Sequence, residues 1–345
     1  MANPLSPVTT LAEWTGRDTS VGEVLHQLAD LRRQAQRKAA SRTSVVTLVV
    51  MAISAVDAWD ALATVHRFGG RHPARSVVVV AEPKADRRVD ARVSLTEATS
   101  GGHGVWFEDI VLSVAGPAGR HLASLLEPFT LPDLPVAVWY VGGPPAPDDD
   151  LLRAADAVLV DSKVAVGEEG GDAEADGPVG ARPDQETLRS IAELFAHHAV
   201  VDLAWQRLRP WRQLLSGLFE GPIFRPHLDA VTSVEVAGKA GARGLLSGWI
   251  SSRLELAPGT MHLVDARHAS VTLHSDLDGA IGRFCVERVP GERQVRASAS
   301  IEGGSAAADV MSLPQADLSW SLAEALGALR RDPAYEAAVV AAAGI

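Results

Sequence analysis

Two stretches hold side chains whose types and spacing could do chemistry. In the first, Gly142-Gly143-Pro144-Pro145 is followed by Asp148-Asp149-Asp150. Ligands of open α/β sheets sit at the carboxyl ends of strands, and oxygen ligands suit hard cations such as magnesium. The edge between Gly142 and Asp150 is therefore a candidate site for a sugar phosphate or a nucleotide. Against it, adjacent carboxylates rarely converge on one ion without partners elsewhere. A run of them more often caps the next helix, here from Leu151.

The second stretch is residues 201–219, VDLAWQRLRPWRQLLSGLF. Val201, Ala204, Trp205, Leu208, Trp211, Leu215 and Leu218 recur at the three-or-four spacing of a helix with one buried face. Gln206, Arg207, Arg209, Arg212 and Gln213 fall opposite. Asp202 can cap the start, and Pro210 removes a backbone N–H, so a kink or two short helices are expected. Trp and Arg dominate protein–protein contacts, and guanidinium forks match carboxylates. Trp205, Arg207, Arg209, Trp211 and Arg212 are accordingly the candidate partner-binding residues. The competing reading is a packed Trp pair with salt bridges inside the chain.

Elsewhere the spacing fails. A phosphate-binding βα turn needs glycine, and the segment after Val50 is Met51-Ala52-Ile53-Ser54-Ala55. Gly101-Gly102-His103-Gly104 joins two strands and opens no helix. His197 and His198 are adjacent, whereas a zinc-binding helix separates its histidines by four. His262, His268 and His274 fall on separate elements. Ser162-Lys163 is a pair by adjacency only, and no G-x-S-x-G elbow occurs. The expectation is no catalytic residue, no cofactor and no metal.

The elements around these stretches alternate. Residues 1–20 read as loose, and 21–37 as an amphipathic helix. Residues 44–52 and 76–81 are branched apolar runs, as in strands covered on both faces. Residues 55–68 form a helix between them, a βαβ unit with Gly69-Gly70 as its stop. Strands follow at 88–95 (half-exposed, near an edge), 105–114, 136–141 and 157–160, with short helices at 121–126 and 151–155. Residues 167–184 are acidic and rich in Gly and Pro, too poor in apolar area to order themselves. Helices are expected at 186–198, 244–254 and 318–330, and strands at 233–236, 270–274, 281–287 and 294–300, with turns at 276–279 and 290–291. The fold class is α/β: a mostly parallel mixed sheet with helices, then an α+β domain with an antiparallel sheet. The divisions are residues 1–40 (extension and helix), 41–163, a loop or linker at 164–185, and 186–345.

A chain of 345 residues exceeds one typical core, so two domains are the natural expectation. The net charge of −11 argues against a nucleic-acid binder, which needs a basic face. No apolar stretch is long enough to span a membrane, and no basic-then-apolar leader is visible, which fits the cytosol. The single cysteine, Cys285, excludes an intramolecular disulfide.

The motif D-L-A-W-x-R-L-x-x-W-R followed by L-L, from Asp202 to Leu215, resembles the actinobacterial form of the OpcA family, the glucose-6-phosphate dehydrogenase assembly proteins. Residues 131–145, LPDLPVAVWYVGGPP, resemble a similar segment of that family, and the order and separation of the two blocks also fit. The resemblance implies a non-catalytic factor that binds glucose-6-phosphate dehydrogenase and promotes its assembly or activation, at the entry to the oxidative pentose phosphate pathway. Cyanobacterial relatives carry cysteines associated with redox control. With Cys285 alone, an intramolecular thiol switch does not carry over. The alternative is a sugar-phosphate or nucleotide-binding enzyme using the edge between Gly142 and Asp150.

Overall fold

The branched apolar runs around Val50 and Val79 are strands buried on both faces, as their composition requires. They lie in the middle of an eight-stranded sheet. Its strands are β1 (Thr9–Gly16), β2 (Val46–Ala52), β3 (Ala74–Glu82), β4 (Arg88–Ser100), β5 (His103–Ala115), β6 (Val136–Tyr140), β7 (Ala157–Val160) and β8 (Ala199–Asp202), in the order β1-β4-β5-β3-β2-β6-β7-β8. β2 pairs in parallel with β3 and β6, β3 with β5, and β6 with β7, while β4 is antiparallel to β5 and β1. This computed structural model describes residues 9–36, 44–68, 72–100, 103–162, 183–313 and 317–344. Gly69-Gly70 and all of the acidic segment 167–184 up to residue 182 lie outside the described residues.

The α-helices of the described residues are, in chain order, α1 (Val21–Gln36), α2 (Ala55–Phe68), α3 (Leu122–Leu126), α4 (Pro183–Leu194), α5 (Leu203–Arg207), α6 (Arg209–Leu218), α7 (Ala240–Ser251), α8 (Leu318–Leu326) and α9 (Pro333–Ala343). α2 runs between β2 and β3 and packs on both. Ser54 caps its start: Ser54 Oγ accepts from the Asp57 backbone N–H at 3.2 Å, and the hydroxyl donates to Asp57 Oδ2 at 2.7 Å. Charge is also buried against this sheet. Arg32 makes a two-pronged bond to Glu108 at 2.9 and 2.7 Å, and Arg75 reaches Glu108 Oε2 at 3.0 Å and the Phe129 carbonyl at 2.9 Å.

The second sheet has six strands: β9 (Val231–Gly238), β10 (Met261–Asp265), β11 (Ser270–Leu277), β12 (Ala280–Arg288), β13 (Gln294–Ile301) and β14 (Ala306–Ser312), in the order β10-β9-β11-β12-β13-β14. β11 to β14 form an antiparallel meander. The β11–β12 hairpin turns on Asp278-Gly279, both at positive φ, and the Gly279 N–H donates to Asp276 Oδ1 at 2.9 Å. A two-residue turn of this hand matches the twist of the strands it joins. Val234, Val236, Val271, Leu273, Phe284, Val286, Val295 and Ala297 alternate inward under α6 and α7.

The chain divides into two compact units, the first within Met1–Asp161, His197–Val201 and Leu318–Arg331, the second within Ser162–Ala196, Asp202–Asp317 and Asp332–Ile345. Several elements depart from expectation. Residues 9–16, expected loose, are the edge strand β1, and β4, expected near an edge, lies beside it. β7 is not the last strand of the first sheet, because β8 joins it. β10 and β14 were not anticipated. Helix α8, expected in the second domain, belongs to the first unit.

Candidate functional site

In residues 201–219 the expected interruption is two short helices. α5 ends at Arg207, α6 begins at Arg209, and Pro210 occupies the first turn of α6, where a missing N–H costs nothing. Asp202 caps α5: its Oδ1 accepts from the Ala204 and Ser162 N–H groups at 2.9 and 3.1 Å. Its Oδ2 accepts from the Tyr335 hydroxyl at 3.1 Å. All seven apolar positions are buried, Trp205 to 1% exposure and Trp211 to 9%. The Trp211 indole donates to the Ala269 carbonyl at 2.9 Å.

Trp205 is the hub. Its indole N–H donates to Asp332 Oδ2 at 2.9 Å, and Asp332 Oδ1 caps α9 by accepting from the Ala334 and Tyr335 N–H groups at 2.9 and 3.3 Å. Its ring centroid lies 5.5 Å from that of Tyr335. The Arg212 guanidinium stands 3.5 Å from the Trp205 ring centroid and donates to the Trp205 carbonyl at 3.1 Å. Burial pulls the Arg212 pKa down to about 10, with the Asp332 charge opposing and that of Arg209 reinforcing, so it remains a cation at neutral pH. The helical wheel is corrected in two places. Gln206 is buried, and Arg212 is turned onto Trp205 rather than outward. Arg212 follows Trp205 by about two helical turns and therefore falls on the same face as the indole. Arg207 and Arg209 stay partly exposed, Arg209 donating to Gln206 Oε1.

The sheet edge is also occupied. β2 and β6 are neighbours from which successive strands spread in opposite directions, a switch point whose carboxyl-end crevice commonly receives ligands. Here the Ile53 side chain lies on Gly142: a Cβ there would stand 2.1 Å from Ile53 Cδ1. The start of α2, which could hold a phosphate, carries the Asp57 carboxylate instead. Asp149 Oδ1 accepts from the Leu151 N–H at 2.9 Å and the Tyr140 hydroxyl at 3.0 Å. Burial first, and the Asp149 charge next, push the Tyr140 phenol far above its ordinary range, so it stays a protonated donor. Asp150 Oδ2 accepts from the Ala123 N–H at 2.9 Å, and its other oxygen pairs with Arg153. That backbone bond first, and Arg153 after it, hold Asp150 below the usual carboxylate range. Two of the three acids are therefore caps. Trp139 and Tyr140 of β6 are both buried.

Ser76, Asp109 and His66 superficially suggest a nucleophilic triad. Ser76 and Asp109 are register partners on β3 and β5, and His66 Nε2 lies 2.8 Å from Asp109 Oδ2. The Ser76 hydroxyl, however, is fully buried and has no hydrogen-bond partner, so it has neither its base nor access to substrate.

One concavity the sequence did not flag lies in the second unit. A groove of about 360 Å³ opens between the ends of α6 and α7, floored by Leu215, Phe219, Trp249, Ile250, Leu254 and Leu273. Arg225 and Arg253 stand at its rim with Glu220. The Trp was legible as a helix residue, but nothing in its periodicity pairs it with Arg225, which follows an irregular segment.

A family profile described as the glucose-6-phosphate dehydrogenase subunit N-terminal domain matches residues 65–174, and one described as the C-terminal domain of that subunit matches residues 198–339. The chain is also similar, at 26% identity over 196 residues, to a protein of Synechocystis sp. named as an OxPP cycle protein OpcA. That match covers 54% of this chain and 38% of the relative's length. The block at 131–145 lies inside the first matched region and the Trp205 motif inside the second. Matched in both domains and in order, the chain belongs to the OpcA family of glucose-6-phosphate dehydrogenase assembly proteins.

Proposed function

We propose that this chain binds glucose-6-phosphate dehydrogenase in the cytosol, favours its active conformation or oligomer, and performs no reaction itself. The observation that carries this reading is the match of both domains to profiles described for a subunit of that enzyme. The chemistry is consistent with it. Where an α/β fold would hold a phosphate or a cation, the groups here cap helices or lie under Ile53. A binding factor works by differential affinity, and it can shift the enzyme's population only as far as it prefers one state. Of the residues the sequence nominates for partner contact, Arg207 and Arg209 are the two a partner's carboxylates can best reach. Arg212 and the two Trp side chains are turned inward.

The test titrates the chain into purified glucose-6-phosphate dehydrogenase while rate and sedimentation are followed together. A saturable rise in rate with a faster-sedimenting boundary is expected. A new boundary without a change in rate would leave binding and remove activation. No change in either at micromolar concentrations would sink the reading.

A further inference from the structure

The groove at the ends of α6 and α7 combines features that the partner reading does not by itself locate. Its floor is apolar, with Trp249 partly exposed across it. Among the described residues neither Arg225 nor Arg253 has a hydrogen-bond or ion-pair partner for its guanidinium, and both are exposed. Glu220 is the one acid in the lining. On a chain of net charge −11, two unpaired arginines beside an apolar floor form a local reversal of sign. Small-molecule sites carry several convergent polar groups that fix the ligand's orientation, and their volumes begin at about 300 Å³. Here Ser216 is the only uncharged polar side chain in the lining, and the volume is near that lower bound. An apolar pocket containing Trp with Arg at its rim has instead the anatomy of a protein–protein hot spot, where one or two anchoring side chains are received and charges at the rim set register.

We infer that this groove receives an apolar side chain flanked by carboxylates on the partner protein, the carboxylates meeting Arg225 and Arg253. The inference rests on the dehydrogenase-binding reading and adds to it the surface and the chemistry of what docks there. The rim arginines gain from the encounter because guanidinium–carboxylate forks are strengthened where a neighbouring apolar contact excludes water.

The full chain is compared with three variants for binding to glucose-6-phosphate dehydrogenase at two salt concentrations. R225E/R253E reverses the rim charge. R283E/R296E makes the same change of net charge at two exposed positions of β12 and β13. S216W fills the groove from its exposed lip without changing charge. All four proteins are first matched for circular dichroism and melting temperature, which surface substitutions leave largely intact. Rim reversal is expected to weaken binding by at least about tenfold and to flatten its salt dependence, S216W to weaken it by a similar factor, and the distant reversal by less than about threefold. Rim reversal within about twofold of the parent overturns the groove while leaving the dehydrogenase reading intact. So does an effect of rim and distant reversal alike, which would be net charge alone, or an unaffected S216W. Absence of binding by the parent chain overturns both.

Discussion

At the scale of the residue, the motif from Asp202 to Leu215 is a structural lock. Asp332 holds three donors at once, the Trp205 indole and the two first free N–H groups of α9. Asp332→Ala removes a helix cap, worth about 0.5–2 kcal/mol, and strands a buried indole N–H, worth about 1–3 kcal/mol. The expected loss is about 2–4 kcal/mol, read as a lower urea midpoint at unchanged slope. Arg212→Ala removes a cation from the Trp205 face, worth about 0.5–2 kcal/mol, but also relieves a desolvated charge. Its cost is expected to be the smaller of the two, and the reverse ranking would remove Asp332 as the centre of the lock. Asp150 gives the pH-dependent counterpart. Its folded pKa lies below the ordinary 3.8, so the stability it contributes is present above that value and is lost as pH falls through the folded pKa. Asp150→Asn is therefore expected to be less stable than the parent at neutral pH, with the gap closing below about pH 4. A gap that persisted into acid would mean the carboxylate's charge is not what holds Ala123.

At the scale of the element, one helix pair shows how backbone approach decides a substitution. On α7, a Cβ at Gly248 would stand 2.1 Å from the Ala338 carbonyl oxygen and 2.7 Å from Ala342 Cβ, both on α9. Alanine gains about 1 kcal/mol of helix propensity there, but overpacking against a backbone that cannot swing aside costs about 1–3 kcal/mol. At Gly217, near the end of α6, nothing lies within 4 Å. Gly248→Ala should therefore destabilise the chain and Gly217→Ala stabilise it by about 0.5–1 kcal/mol, read as melting-temperature shifts of opposite sign. Equal effects at the two sites would refute the close packing of α7 on α9. The elements that were legible share a cause. β2, β3 and the β11–β13 meander announce themselves because burial on one or both faces imposes composition on them. β1 hides because a register shift between Thr10 and Ala12 breaks its alternation. β10 and β14 lie at the two sheet edges with nearly every side chain exposed, so no apolar period marks them. β8, four residues long, runs straight into α5 and shares its apolar pattern. The caps at Asp149 and Asp202 are readable from type and position, whereas Asp150 reaches back to the Ala123 N–H, which no local spacing announces. The groove was not, because its walls come from segments far apart in sequence.

At the scale of the whole molecule, the two family profiles and the two compact units do not coincide. The C-terminal profile runs through residues 198–339, yet Leu318–Arg331 within it belongs to the first unit. There α8 packs on α2 and buries Leu322, Ala323, Ala325 and Leu326. A chain that leaves a unit and returns to it more than 100 residues later cannot be cut at a linker without taking part of a core with it. A fragment of residues 1–163 keeps the seven strands β1 to β7 and loses both β8 and α8. Re-exposing the faces that two leucines covered costs about 1.5–3 kcal/mol for each. At about 2–4 °C per kcal/mol for a unit of this size, the fragment is expected to melt on the order of 10 °C below the same unit in the full chain. Rejoining residues 318–331 to the fragment through a flexible linker should recover much of that loss, because the tether converts a bimolecular docking into an intramolecular one. Hydrogen exchange at the β2 and β3 amides distinguishes the outcomes. Protection in the short fragment equal to that in the full chain would show that α8 contributes nothing to this core and that the sequence boundary is the physical one.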